Sequence, residues 1–130
     1  MKRLRWLTSR AVIAMHQELI ARYGGMPGLR DPNLLESALA RPKHLAAYKP
    51  RVNMPELAAA YAWGLLRNHA FLDGNKRIAL AALVVFLEVN GWELTCSEAE
   101  ETAVILRAAA GEIKERALRD WISRQARRTV

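Results

Sequence analysis

Residues 78–87, IALAALVVFL, are ten consecutive apolar residues with no charge among them, and no other stretch constrains the fold so strongly. A run like this must be buried, and a buried segment has to pair its own backbone N–H and C=O groups. It is too short for a membrane span, which needs ~20 such residues. A core helix from about Asn75 to Val89 is therefore expected, ended by the left-handed turn that Asn90-Gly91 supplies. Because this helix is apolar nearly all round, it belongs at the centre of the domain with other helices around it.

The remaining punctuation is also helical. A first helix starts near Thr8 or Ser9, carries Val12, Ile13, Leu19 and Ile20 inward, and stops at Gly24-Gly25. Asp31-Pro32 opens a second, a capping acid followed by a first-turn proline, and Pro42 is expected to close it early. Residues 42–53, PKHLAAYKPRVN, lack periodicity. Pro55 opens a third helix through ELAAAYAWGLLRNH, and Trp92 to Thr95 reads as a short extended connector. Ser97 with Glu100 forms a capping box for a fifth helix. Gly111 separates it from a sixth that runs into a basic tail. The expectation is one all-α domain over residues 1–130, a compact bundle of about six helices with almost no strand. A chain of 130 residues suits a single core, and 52% hydrophobic residues excludes disorder.

Cys96 is the only cysteine, which excludes an intrachain disulfide and a thiolate-rich zinc site and fits a reducing cytoplasm. MKRLRWLTSR has no apolar run behind it of the kind a secretory signal needs. With no membrane span either, a cytoplasmic location is expected. The formal net charge of +7 points to an anionic partner. Lys2, Arg3, Arg5 and Arg10 crowd one end, and Arg116, Arg119, Arg124, Arg127 and Arg128 the other. They read either as solvated helix faces and tails or as a nucleic-acid surface.

Immediately before the core helix stands HAFLDGNKR, residues 69–77. Lys76 and Arg77 lie where that helix begins, although the N-terminal end of a helix dipole disfavours cations by ~0.3–1 kcal/mol each. An anion bound there would reverse the sign. Gly74 permits close backbone approach, and unpaired amides at a helix start form an anion site. Lys76 adds a point charge and Arg77 a planar fork matched to phosphate oxygens. Asp73 is then out of place unless it holds magnesium, which takes one or two carboxylates together with substrate phosphates. His69 is placed to act as general base for a hydroxyl nucleophile. Base, metal-binding carboxylate, amide cradle and cations within nine residues make a set for phosphorus-group transfer. Phe71 reads as a core anchor. GxxxxGK(S/T) is absent, and so is the alternating acidic pattern of a calcium loop.

The same nine residues resemble the Fic/Doc superfamily signature, HxFx(D/E)GN(G/K)R. RYGGMPGLRD at 22–31 and FLEVNG at 86–91 are similar to its Doc, or death-on-curing, branch. That resemblance implies a Fic/Doc-like bundle and a toxin of a type II toxin–antitoxin system. It further implies a protein kinase that uses ATP and Mg2+ to phosphorylate a threonine hydroxyl of elongation factor Tu and so block translation. His69 would be the base; Asp73 would hold magnesium or orient the base. Gly74, Asn75, Lys76 and Arg77 would bind the nucleotide phosphates, joined by Arg67, two residues before the histidine.

Typical Fic enzymes transfer AMP and carry GNGR followed three residues later by a second arginine. Here Lys76 replaces the glycine and Leu80 stands at the place of that arginine, a change that in the Doc branch goes with γ-phosphate transfer. An AMP transferase is the alternative on this fold, and a non-catalytic nucleic-acid module the alternative outside it. No (S/T)xxxE(G/N) inhibitory segment is present; Ser97 to Glu101 comes nearest, but Thr102 follows. Inhibition from outside is thus implied, by a cognate antitoxin binding through its C-terminal segment, with DNA reached only through that antitoxin. The stretch 42–53, by analogy with the family's flap, would position the target.

Overall fold

The computed structural model describes residues 3–129. Six helices follow one another: α1 (Ser9–Tyr23), α2 (Pro32–Tyr48), α3 (Met54–Asn68), α4 (Asn75–Val89), α5 (Glu98–Ala109) and α6 (Glu115–Gln125). Two three-residue strands, β1 (Trp92–Leu94) and β2 (Ala126–Arg128), pair antiparallel with Trp92 opposite Arg128. The fold is all-α, as expected. No described helix is long and apolar enough to cross a membrane.

The helix starts follow from local chemistry. Thr8 caps α1 by accepting from the Ala11 amide at 3.1 Å, and Asp31 caps α2 through Asn33 and Leu34. Asn53 and Glu56 close a reciprocal capping box on α3. Ser97 caps α5 through the Glu100 amide. The Glu100 carboxylate does not complete that box; it accepts from the Trp121 indole at 3.1 Å and ties α5 to α6.

Three expectations change. The second helix does not stop at Pro42 but runs on to Tyr48, absorbing half of the stretch that lacked periodicity. Proline deprives the Ala38 carbonyl of its helical donor. Leu35, Ala38, Leu39 and Pro42 nevertheless all face inward, and α3 packs so closely there that a Cβ on Gly64 would lie 3.2 Å from the Ala38 oxygen. Burial against α3 outweighs the lost hydrogen bond. The basic tail leaves the sixth helix as β2, where Arg127 pairs with Glu93 at 2.7 Å and Arg128 lies over the Trp92 ring. The centre is a pair of helices: α4 buries Ile78, Ala79, Ala82, Leu83, Phe86 and Leu87, while α3 is buried almost along its whole length. The alanines of α3 allow that depth, because small side chains let neighbouring helices close on both flanks.

At the far end of α4, Asn90 donates to the Phe86 carbonyl and exchanges two hydrogen bonds with the backbone of Arg5. One end of the central helix is thereby tied off. The other end, at Gly74, is open.

Candidate active site

The helix α3 ends at Asn68, and His69 follows with φ 48° and ψ 53°, the one non-glycine residue with positive φ among those described. A left-handed turn costs a residue with a Cβ ~1–2 kcal/mol. It is held by Arg30, whose Nε donates to the His69 carbonyl at 2.8 Å and whose Nη2 donates to the Asn68 carbonyl at 3.1 Å. The turn leaves His69 exposed while Ala70 and Phe71 become buried. The next residues form a single antiparallel bridge, Leu29 opposite Phe71. Its bonds run from the Arg30 amide to the Ala70 carbonyl (2.7 Å) and from the Leu72 amide to the Gly28 carbonyl (3.1 Å). This bridge fastens the loop that carries the site to the loop after α1.

A hollow of about 590 Å³ opens at the start of α4 and is lined by His69, Asp73, Gly74, Asn75, Lys76 and Arg77 together. Six of the seven expected site residues therefore converge. Arg67 is the exception: it lies exposed on α3 with its guanidinium over the Trp63 ring, and it does not line the hollow. A further wall comes from α4 and α5, through Leu80, Thr102, Ile105 and Leu106. Leu80 makes that wall apolar where an arginine would have made it cationic.

Gly74 precedes α4 in the left-handed conformation and no side chain caps the helix. The first helical amides have no intrahelical acceptor, so the mouth of α4 carries the partial positive charge of its dipole. Lys76 is exposed and forms no ion pair among the described residues. Arg77 lies over Tyr23 at 5.4 Å and donates to the Gly24 carbonyl at 3.1 Å. Both cations border the hollow.

Asn75 differs from its expected role. Its side chain is buried and turned inward, accepting from the Phe71 amide at 3.1 Å and donating to the Phe71 carbonyl at 3.0 Å. What it can offer a phosphate is its backbone N–H.

Asp73 lines the hollow and accepts from the Met26 amide (3.0 Å, Oδ2) and the Gly74 amide (2.8 Å, Oδ1). These two amides, with smaller help from Arg77 and His16, hold its carboxyl below the usual carboxylate range. The loop after α1 must come close for this: a Cβ on Gly25 would lie 2.8 Å from Asp73 Oδ2. Among the described residues no cluster of three metal-ligating side chains exists. One ionised carboxylate with about four acceptor positions, two of them used here, still fits an ion whose other ligands are substrate phosphates and water.

Two positioning residues have no counterpart in the expected set. Arg30 is one. His16 is the other, buried in α1 with Nε2 2.7 Å from the Asp73 carbonyl. A signal for His16 exists in the sequence: Val12, His16 and Ile20 recur every four residues along the inward stripe of α1. Nothing local marks Arg30, whose partners lie 38 and 39 residues away.

Residues 6–87 match the model of the Fic/DOC family. The chain is 35% identical over 121 residues to the protein kinase doc of Escherichia phage P1, covering 93% of this chain and 95% of that protein. It is 46% identical over 76 residues to the toxin Doc of Mycolicibacterium smegmatis, covering 55% and 56%. The match over residues 6–87, with a relative 35% identical along nearly the whole of both chains, places this chain in the Fic/Doc family, in its Doc branch.

Proposed function

We propose that this protein is the toxin of a toxin–antitoxin pair and that it transfers the γ-phosphate of ATP to a threonine hydroxyl of elongation factor Tu, blocking translation. One observation carries the reading: His69 is exposed on the same hollow as the open mouth of α4, Lys76 and Arg77. The phage relative named a protein kinase supports the choice of chemistry, and the Mycolicibacterium relative named a toxin supports toxin action.

In this reading the amides that begin α4, with Lys76 and Arg77, hold the nucleotide phosphates. His69 accepts the proton of the target hydroxyl. The hydroxyl oxygen forms its bond to the γ-phosphorus as the bond from that phosphorus to the leaving ADP oxygen breaks. Asp73 would hold magnesium, which when bound neutralises charge on the phosphates. Arg67 does not line the hollow and is assigned here to contact with parts of the nucleotide or target that lie outside that lining. The proposed target is cytoplasmic, and the proposed location follows it.

Among the described residues no glutamate lines the hollow. The segment nearest an inhibitory sequence instead begins α5, which presents Thr102, Ile105 and Leu106 to the hollow. This supports inhibition by a separate antitoxin through its C-terminal segment, with DNA contacted only through that partner.

The test is incubation with elongation factor Tu and ATP labelled at either the α or the γ position. Label entering the factor from the γ position is expected. Label from the α position alone would overturn the kinase reading in favour of AMP transfer. Salt-sensitive DNA binding that survives His69→Ala, with no transfer at all, would favour the nucleic-acid module.

A further inference from the structure

We infer that His16 is a positioning residue that locks the Asp73–Gly74 peptide, and that through this lock it sets the phosphate affinity of a hollow that it does not line. The second half rests on the phosphate reading of the hollow given above.

The imidazole of His16 is 1% exposed and lies flat on Phe71, ring centroids 3.8 Å apart and planes 15° from parallel. Its Nε2 sits 2.7 Å from the carbonyl oxygen of Asp73. A carbonyl can only accept, so the hydrogen is on Nε2. The other end of the same peptide is held too, because the Gly74 amide donates to Asp73 Oδ1 at 2.8 Å. Both polar groups of one peptide plane are thus engaged, one from α1 and one from the loop itself.

That plane needs holding. Gly74 has φ +74°, and glycine populates either sign of φ about equally. Rotation of the 73–74 peptide therefore meets no steric barrier from Gly74. After such a rotation the Asp73 carbonyl would face its own carboxylate on the side of the hollow, and the Gly74 N–H would face His16. A partial negative charge would replace a partial positive one at the mouth of α4, opposing any bound phosphate.

His16 supplies the restraint from a rigid element. A Cβ on Gly74 would lie 3.4 Å from His16 Nε2 and 3.3 Å from Ile20 Cδ1, so α1 packs directly on this glycine. A histidine serving only as core filler would require the stack on Phe71 but not a donor aimed at a loop carbonyl.

The experiment separates ring from donor. His16→Phe keeps a flat ring on Phe71 and removes the donor; His16→Gln keeps a donor of similar reach and removes the ring. Gly74 amide exchange is read by NMR, ATP affinity by calorimetry and folding by melting temperature. In His16→Phe, Gly74 exchange is expected to rise, and ATP affinity to fall, by about tenfold, as loss of one hydrogen bond allows. His16→Gln is expected to stay near the parent in both readouts while melting earlier. If the phenylalanine variant does not fold, His16→Met fills the volume without a donor and takes its place.

Unchanged Gly74 exchange in the donor-less variant would overturn the lock, and so would equal effects in the donor-less and glutamine variants. Faster exchange with unchanged ATP affinity would overturn its part in phosphate binding. Faster exchange in a protein whose parent form binds no ATP would support the lock and refute the phosphate reading, so the two fail separately.

Discussion

The side chain of Asn75 closes two hydrogen bonds on the backbone of a single residue, Phe71, at 3.1 and 3.0 Å. Phe71 is opposite Leu29 in the bridge, yet the bonds of that bridge belong to Ala70 and Leu72. The N–H and C=O of Phe71 consequently turn away from Leu29 and into Asn75. Helix α4 thus reaches back from its first residue to shape the loop in front of it.

Asn75→Ala should leave both buried groups of Phe71 without partners, at roughly 1–3 kcal/mol each. A loss of about 3 kcal/mol in urea unfolding is expected, with transfer activity falling in the molecules that remain folded. Asn75→Asp should do nearly as much damage, since an ionised carboxylate accepts from the amide but cannot donate to the carbonyl. A stability change under about 0.5 kcal/mol for the alanine variant would mean that water replaces the clamp.

His69 is exposed and makes no side-chain hydrogen bond that the fold depends on, so its removal should be a pure loss of chemistry. His69→Asn is the suitable variant, because asparagine tolerates the left-handed turn. Transfer to elongation factor Tu should drop by roughly 10²–10⁴-fold, the usual contribution of a general base. ATP affinity and melting temperature should stay near the parent. An equal loss of ATP affinity would show that the imidazole binds nucleotide and does not act as base.

Acid should detach the loop after α1. The amides of Met26 and Gly74 hold the Asp73 carboxyl below its ordinary value. A group depressed in the folded state stabilises above its unfolded pKa, and that stabilisation is lost as pH falls through its folded pKa. Protection of the Met26 amide, its exchange relative to an unstructured amide at the same pH, should therefore be high at neutral pH and fall only below about pH 4. Asp73→Ala, which leaves no side-chain acceptor, should make that protection low at every pH. A Met26 amide insensitive to both acid and substitution would show that the bridge between Leu29 and Phe71 alone holds the loop.

The parts of this molecule that were legible in the sequence are those governed by residues close together in the chain. The bounds of α4 follow from a charged loop, an apolar run and Asn90-Gly91, and the structure keeps them. The convergence of His69, Asp73 and the helix mouth follows from spacing within nine residues. Pro42 misled, because its local cost is set against burial on α3, a helix not yet formed when the residue is read in order. The strand Ala126–Arg128 was invisible because its partner begins 34 residues earlier. Asn75 was visible as a site residue but not as a clamp, since either role calls for a polar side chain at the start of α4.

Arg30 presents the clearest case of a remote residue setting the geometry of the proposed base. Its fork holds the carbonyls of Asn68 and His69, and its own amide holds Ala70. Arg30→Ala releases a left-handed turn at His69, the residue proposed to meet the target hydroxyl. The lost bonds are exposed and worth about 0.5–1.5 kcal/mol each at most, so the melting temperature should fall by several degrees while the protein stays folded at assay temperature. The base would nonetheless wander, and a misplacement near 1 Å costs on the order of 10²-fold in rate. A fall in kcat of roughly tenfold to a hundredfold, with KM for ATP nearly constant, is expected in γ-phosphate transfer. Arg30→Lys should recover little of it, because a single ammonium cannot span two carbonyls as the planar fork does. If KM for ATP rises and kcat stays, Arg30 acts as a surface charge for the nucleotide, and the turn at His69 holds without it.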